Sequence, residues 1–445
     1  MKNRILIAVL AATFALNSVY ANDAILDALV KKGVLNQQEA NQIREQADRD
    51  LAQTTEMYNK VKVSSWVNSL QFFGDGRLRY EWRAGQGNFA GTGKQAVDNQ
   101  DLNRFRYRLR FGVKGEFTDN FSYGLRLETG QKGNSSNSTM GPGLVGGPWN
   151  KATTDLIAVG QIWAQYKATD WLTLVGGKME NPFVNTLMVW DGDLNPEGFA
   201  EKFTFKTGNV DWFLNLGQFM YTANTANFFT GGAAAANDVW MFGVQAGGKW
   251  QINKSLSLQI APTLYAYANA YDGGGGNYTP TLTGGNITGI NDLMVFDVPV
   301  EFAFPIGKIP AKIFGDFATN LSGDQRARDA GFSQYTDQKY AYQVGLEIGA
   351  KKKKGDWQLK GYWQHQELFA LDQNISDSDI FDSHLNMEGF VASGQYMPTD
   401  FLTLMVTYAH AAAIKNDLPT LYSAGDLKGN VRNYDLLQVD MVWKF

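Results

Sequence analysis

The chain has 445 residues, no cysteine, 44% hydrophobic residues and a formal charge of −4. The missing cysteines exclude a disulfide framework, a thiolate metal site and a cysteine nucleophile. After the first residues no run of about 18 apolar residues occurs, which excludes a bundle of membrane-spanning helices; the mean hydropathy of −0.29 looks soluble in bulk.

Met1–Ala21 reads as an export leader. Lys2 and Arg4 charge its start, Ile5–Leu16 is almost wholly apolar, and Val19-Tyr20-Ala21 suits a small-residue cleavage rule. Asn22 then starts the mature chain, and loss of Lys2 and Arg4 takes the charge from −4 to −6. The apolar run is too short for an anchor helix.

Residues 22–62 are the one stretch with helical periodicity. Ile25, Leu26, Leu29 and Val30 share a face, and Gly33 suits a helix C-cap. Asn36 and Glu39 have capping-box spacing and predict a second helix start. Ile43, Ala47, Leu51, Thr54, Tyr58 and Val61 then form a ragged heptad. The segment is expected to be a periplasmic helical arm, with a short coiled coil tying three copies together as its functional form. A helical hairpin or leader of no specific role, or a plug, are the alternatives.

From residue 63 to 445 the period changes to two. Around the turn Thr118–Asn120, Phe105, Tyr107, Leu109, Phe111, Val113 and Phe117 alternate with Arg104, Arg106, Arg108, Arg110, Lys114 and Glu116. Only a strand places alternate side chains on opposite faces. Residues 104–117 would span over about 40 Å, more than the roughly 9–11 residues a membrane strand needs. The apolar face is therefore expected in lipid and the arginine face in a watery lumen. Similar runs recur, among them Trp240-Phe242-Val244-Ala246, Tyr340-Tyr342-Val344-Leu346-Ile348 and Leu402-Leu404-Val406-Tyr408. Seven short turns alternate with eight long polar loops, such as Gly130–Asp155 and Ala268–Ile290. The fold class expected is all-β: a transmembrane, antiparallel, up-and-down β-barrel of about 16 strands, fourteen or eighteen being the neighbouring counts. Leu437, Val439, Met441, Trp443 and the terminal Phe445 share the outer face of its last strand. A closing strand that ends in Phe resembles the signal read by the outer-membrane assembly machinery.

The stretches FFGDGRLRYEWR (72–83), NRFRYRLRFGVKGEF (103–117), ATDWLTLVGGKMENPF (168–183) and VWDGDLNPEGFA (189–200) resemble a family of Gram-negative outer-membrane porins, distantly similar to the phosphate-selective porins. The resemblance covers most of the chain after Val63. It implies a trimeric pore in the outer membrane of a Gram-negative bacterium, passing small hydrophilic solutes or ions. Outer-membrane lipids, lipopolysaccharide and the assembly machinery would be its other partners. It names no solute. Neither a cofactor nor a nucleic-acid partner is implied.

Arg77, Arg79, Arg83, Arg104, Arg106, Arg108, Arg110 and Arg126 all fall on the inward face of the first three strands. Strands about 4.8 Å apart make them one wall patch. By analogy with trimeric porins, the loop near 180–197 is expected to fold inward and narrow the lumen. Asp191, Asp193 and Glu197 on it would face the arginines, and Asp297, Glu301, Asp316 and Glu347 lie inward across the barrel. Such a transverse field passes polar solutes and slows apolar ones. The plainer alternative is that lumenal arginines only satisfy neighbouring acids. The later strands carry mixed charge, which argues against phosphate specificity.

Weaker motifs remain. Gly91-Thr92-Gly93-Lys94 lacks the upstream glycine and the Ser/Thr of a phosphate loop. Asp191, Asp193 and Asn195 have calcium-loop spacing, but Pro196 and Lys202 occupy positions that need Gly and Glu. Trp82, Trp163, Trp171, Trp212, Trp240, Trp250 and Trp443 are expected in interfacial girdles. His365, His384 and His410 fall in no nucleophile motif, so an outer-membrane hydrolase is the lesser alternative, beside a structural or adhesive barrel without an open pore.

Overall fold

The computed structural model describes residues 30–32, 36–43, 45, 66–88, 99–130, 135–141, 157–222, 238–268, 289–420, 426–427 and 429–445. The leader, Gly33, the heptad from Ala47 onward, Gly91–Lys94 and most of the loops 142–156 and 269–288 lie outside the described residues. Within the N-terminal segment, the Glu39 amide donates to Asn36 Oδ1 at 2.8 Å and the Asn36 amide donates to the Glu39 carboxylate at 2.9 Å. This is the reciprocal capping box expected from the sequence.

Among the described residues, eighteen strands form one closed sheet. They are β1 (Val67–Asn88), β2 (Asn99–Phe117), β3 (Phe121–Thr129), β4 (Ser138–Thr139), β5 (Ile157–Lys167) and β6 (Leu172–Lys178). Next come β7 (Glu197–Thr207), β8 (Val210–Thr222), β9 (Val239–Gln251), β10 (Ser257–Ile260), β11 (Thr263–Ala268) and β12 (Met294–Ile306). The last six are β13 (Ile309–Asn320), β14 (Tyr340–Gly349), β15 (Trp357–Gln366), β16 (Met387–Tyr396), β17 (Leu402–Ala413) and β18 (Asn430–Lys444). Two of these do not count separately. β4 adds a rung to β2 beyond β3. β10 and β11 both pair with β9 and β12 and are halves of one stave. The break falls at Pro262, which has no amide to give the ladder. The barrel therefore has sixteen staves, as the turn pattern predicts.

Closure comes from β18 pairing with β1 in antiparallel register, Asp75 opposite Lys444 and Trp82 opposite Leu437. Gly74 and the terminal Phe445 exchange backbone hydrogen bonds of 3.0 and 3.1 Å at the seam. Gly76 is required beside it, because a Cβ there would meet the Trp443 ring at 2.1 Å. The short connections all lie on one rim. Two of them, Gly208-Asn209 and Gly307-Lys308, are two-residue turns whose glycines take positive φ.

Alternation sets the faces. Phe105 is 60% exposed on the outside, while Arg106 on the next residue is 5% exposed within. Trp171, Trp212 and Trp250 are exposed on the outer face as expected. Trp163 is not. Ile162, Ala164 and Tyr166 take the outward parity, so Trp163 points inward against Val175, Met179 and Ala200. The staves differ greatly in length: β1 has 22 residues and β2 has 19, whereas β6 has 7. Two long connections, 179–196 and 367–386, carry the buried apolar residues Phe183, Met188, Trp190, Leu368, Phe369 and Leu371. They fold into the barrel rather than away from it.

Candidate functional site

β18, β1 and β2 build one side of the lumen. Their inward residues interleave arginines with acids. Arg79 donates to Asp440 at 2.7 Å and to Asp379 at 2.8 Å. Arg83 is clasped by Asp382 and approaches Glu81 at 3.5 Å. Arg104 bridges Glu81 and Asp426, and Arg106 lies 3.6 Å from Glu81. Arg108 and Arg110 share Asp75 at 2.7 and 2.6 Å. Arg77 bonds Asn137 at 3.1 Å and Arg126 pairs with Glu128 on its own strand at 2.8 Å. The arginine row therefore exists as a wall, but each member is matched by an acid or amide. Sequence reasoning placed the main counter-charges on the loop after the fifth stave. Most come instead from the wall itself (Asp75, Glu81, Asp440), from the 367–386 loop (Asp379, Asp382) and from Asp426. No local signal marks Asp379, Asp382 and Asp426, which reach the wall across about 300 residues of chain.

The loop 179–196 does fold inward. Its Asp193 lies 3.8 and 3.7 Å from Arg108 and Arg110, and also accepts the Ser136 amide and hydroxyl at 3.1 and 3.0 Å. Asp191 faces the other loop: it accepts the Ser378 amide and hydroxyl, both at 3.0 Å, and the Asp193 amide at 2.8 Å. Burial, then the neighbouring Asp193 charge, push the Asp191 carboxyl up to about 7. Burial works to raise Asp379 as well, but Arg79, Arg77, Arg106 and Arg83 hold it below the usual carboxylate range. Glu197 departs from expectation. It is the first residue of β7, shares the outward parity of the exposed Phe199, and pairs with Lys178 at 3.0 Å rather than with any arginine. Asn195 accepts from Gln161 at 2.8 Å, so the calcium-like spacing diverges in space. Among the described residues no three His, Asp or Glu side chains gather in a way that could hold a metal.

The opposite side of the lumen is less closed. Between the loop 179–196 and the inner faces of β12–β15 lies a cavity of ≈ 440 Å³. Glu301, Lys312, Gln343, Glu347 and Lys360 line it. Lys312 sits 2.8 Å from Glu301 and 3.7 Å from Glu347. The Lys360 ammonium lies 4.8 Å above the Phe314 ring and 5.0 Å above Tyr362. Asp297 and Asp316 lie inward too, but beneath the loop, where Thr186 donates to Asp316. The histidines do not converge: His365 stacks on Tyr342 and bonds Glu388, His410 bonds Asp435, and His384 is buried within the 367–386 loop.

A family model described as "Putative porin" matches residues 52–281. No curated protein matches the chain. Among solved structures, a double mutant of Rh. blastica porin is similar at 11% identity and a TM-score of 0.42, over 85% of this chain and 100% of that one. A triple mutant of Rhodopseudomonas blastica porin gives 11% identity and 0.41 over the same shares of the two chains.

Proposed function

We propose, on the premise that this chain belongs to the porin family whose model it matches over residues 52–281, that it forms a water-filled channel for small hydrophilic solutes or ions in a bacterial outer membrane. The reading is of a non-enzymatic pore. The observation that carries it is a closed sixteen-stave barrel whose lumen keeps a polar cavity beside an inward-folded loop. Sixteen strands enclose enough space for an aqueous passage. The outer aromatic and aliphatic face then meets lipid and lipopolysaccharide, and Phe445 presents the assembly signal.

In this reading the loop 179–196 narrows the channel, and the arginine wall anchors the two inward loops through Asp193, Asp379 and Asp382. A trimer is supported by the low wall at β6. Seven residues at about 3.3 Å each fall short of a roughly 30 Å apolar layer. The same outer region carries the Lys178–Glu197 pair and a 2.9 Å hydrogen bond from Gln218 to Glu201. Charged groups on a lipid-facing surface are costly, and a neighbouring copy relieves that cost.

The test is a planar lipid bilayer with purified, folded protein. Stepwise conductances are expected, in groups of three if the trimer holds. Folded barrel that never conducts would overturn the channel and leave a closed structural or adhesive barrel, a reading favoured by how deeply Phe369, Leu371 and Phe381 fill the lumen.

A further inference from the structure

The two sides of the lumen differ in which charges water can reach. On the β18–β1–β2 side the side chains of Arg79, Arg83, Glu81 and Asp440 are 2%, 1%, 0% and 0% exposed; Arg110 reaches 21% but is held by Asp75 at 2.6 Å. On the far side Glu301, Lys312 and Glu347 are 39%, 29% and 18% exposed. A charge that is buried and matched by its partners contributes little field to a passing ion. A charge at the water boundary contributes most of it, because low-dielectric walls on either side focus its field into the opening.

The stoichiometry of the far group is unequal. One ammonium, Lys312, stands between two carboxylates, Glu301 and Glu347. Cross-strand register fixes this. Glu301 is on β12, Lys312 on β13 and Glu347 on β14, with Lys312 directly opposite Glu347. The Glu301 neighbour on β13 is Phe314, two residues along on the same face as Lys312. With Lys360 on β15 directly opposite Glu347, the row runs Glu301–Lys312–Glu347–Lys360 across adjacent staves, and the Lys360 ammonium is turned over the Phe314 and Tyr362 rings. Gln358 donates to Glu347 at 2.7 Å and Gln395 donates to Gln358 at 2.8 Å, so an amide row continues the line. Glu180, at the start of the inward loop, adds a third glutamate, so the cavity lining holds Glu180, Glu301 and Glu347 against Lys312 and Lys360.

We infer that the row Glu301–Lys312–Glu347 is the selectivity filter of the channel, and that the three glutamates to two lysines of the cavity around it make the passage favour small cations. The inference rests on the channel reading above and moves the filter from the arginine wall to the wall opposite. Lys312 limits the preference: it cancels one carboxylate and keeps the row from trapping a cation, which a conducting path requires.

The experiment is the reversal potential of single channels in a potassium chloride gradient. The native channel is expected to favour potassium. Glu301→Gln with Glu347→Gln should lower the potassium-to-chloride permeability ratio by roughly threefold or more, the scale of one or two unit charges a few ångströms from an ion in a partly aqueous site. Lys312→Met should raise the ratio. Because the chain has no cysteine, Glu301→Cys provides an independent readout in which the charge at this one position is set after the barrel has folded. A cationic thiol reagent added to the conducting channel should shift the reversal potential toward chloride, and an anionic one added to a separate, unmodified Glu301→Cys channel should shift it toward potassium. A native channel that favours chloride overturns the inference. So does a reversal potential that ignores all of these changes but moves with Arg108→Gln. Those results leave the channel itself standing, whereas folded protein without conductance overturns both.

Discussion

The β18–β1–β2 wall and the β12–β15 wall use the same alternating strands to opposite ends. On the first, arginines and acids interlock and are covered by two inward loops. On the second, Glu301, Lys312 and Glu347 keep contact with the cavity. The difference teaches that density of charge in a strand is a poor guide to which charges stay open to the lumen. Four arginines at alternate positions from Arg104 to Arg110 would repel one another unless acids came between them. The fold supplies those acids from the neighbouring strands and from loops brought in over them. The dense wall thereby becomes a clamp, and the sparser one remains open.

The largest effect expected from breaking the comparison is at Arg83. It is fully buried between Glu81, Asp382 and Asp426. Arg83→Ala leaves buried carboxylates uncompensated, a class of change worth about 3–5 kcal/mol. Urea unfolding of the detergent-solubilised barrel, followed by gel mobility without heating, should show that loss. An unchanged midpoint would mean the wall holds nothing. A smaller effect is expected at Thr186, which ties the 179–196 loop to Asp316 beneath it. Thr186→Val removes a donor to a buried acceptor, about 1–3 kcal/mol. Its readout is increased open-channel current noise with the selectivity unaltered; a shift in selectivity would instead assign Thr186 to the filter.

The smallest effect is graded with pH. The Asp191 carboxyl, which joins the two inward loops at Ser378, is pushed up to about 7 by burial and by Asp193. A folded-state value raised above the unfolded one contributes stability that is complete below about 4 and is lost as pH rises through about 7. Burial, then Asp191 and Asp379, also raise the facing Asp377, which adds a loss of the same sign. Asp379 is held low by the arginines, so its own loss falls below this window. His384, pushed down to about 3 by burial, gives the opposite slope as pH falls. Wild type compared with Asp191→Asn isolates the Asp191 contribution. The variant should show a flatter stability profile between pH 4 and 7, and identical profiles would remove Asp191 from the loop junction.

Much of the barrel was legible because strand alternation and turn length are local properties. The Arg104–Arg110 row, the Gly208-Asn209 turn and the outward row ending at Phe445 all follow from residues near one another in the chain. The Asn36–Glu39 capping box is legible for the same reason. Residue type alone suggests a girdle position for Trp163, but the parity it shares with neither Ile162 nor Tyr166 turns it inward. Glu197 departs from its expected place because the loop ends one residue earlier than its composition suggests, which puts the carboxylate on the outer face of β7. The partners of Arg79 and Arg83 had no local signal at all.

The sequence by itself determined that the chain makes a closed barrel of about sixteen strands with an arginine-bearing inner face. It could do so because a period of two and a two-class rhythm of connections leave few other ways to bury one face and wet the other. Only the tertiary structure decided what the arginines meet. Closure brings Asp440 beside Arg79, and infolding brings Asp379, Asp382 and Asp426 onto the same wall. Those contacts depend on where distant loops come to rest. The free energy of pairing a buried charge is set by the groups that surround it in space, not by those that precede it in the chain.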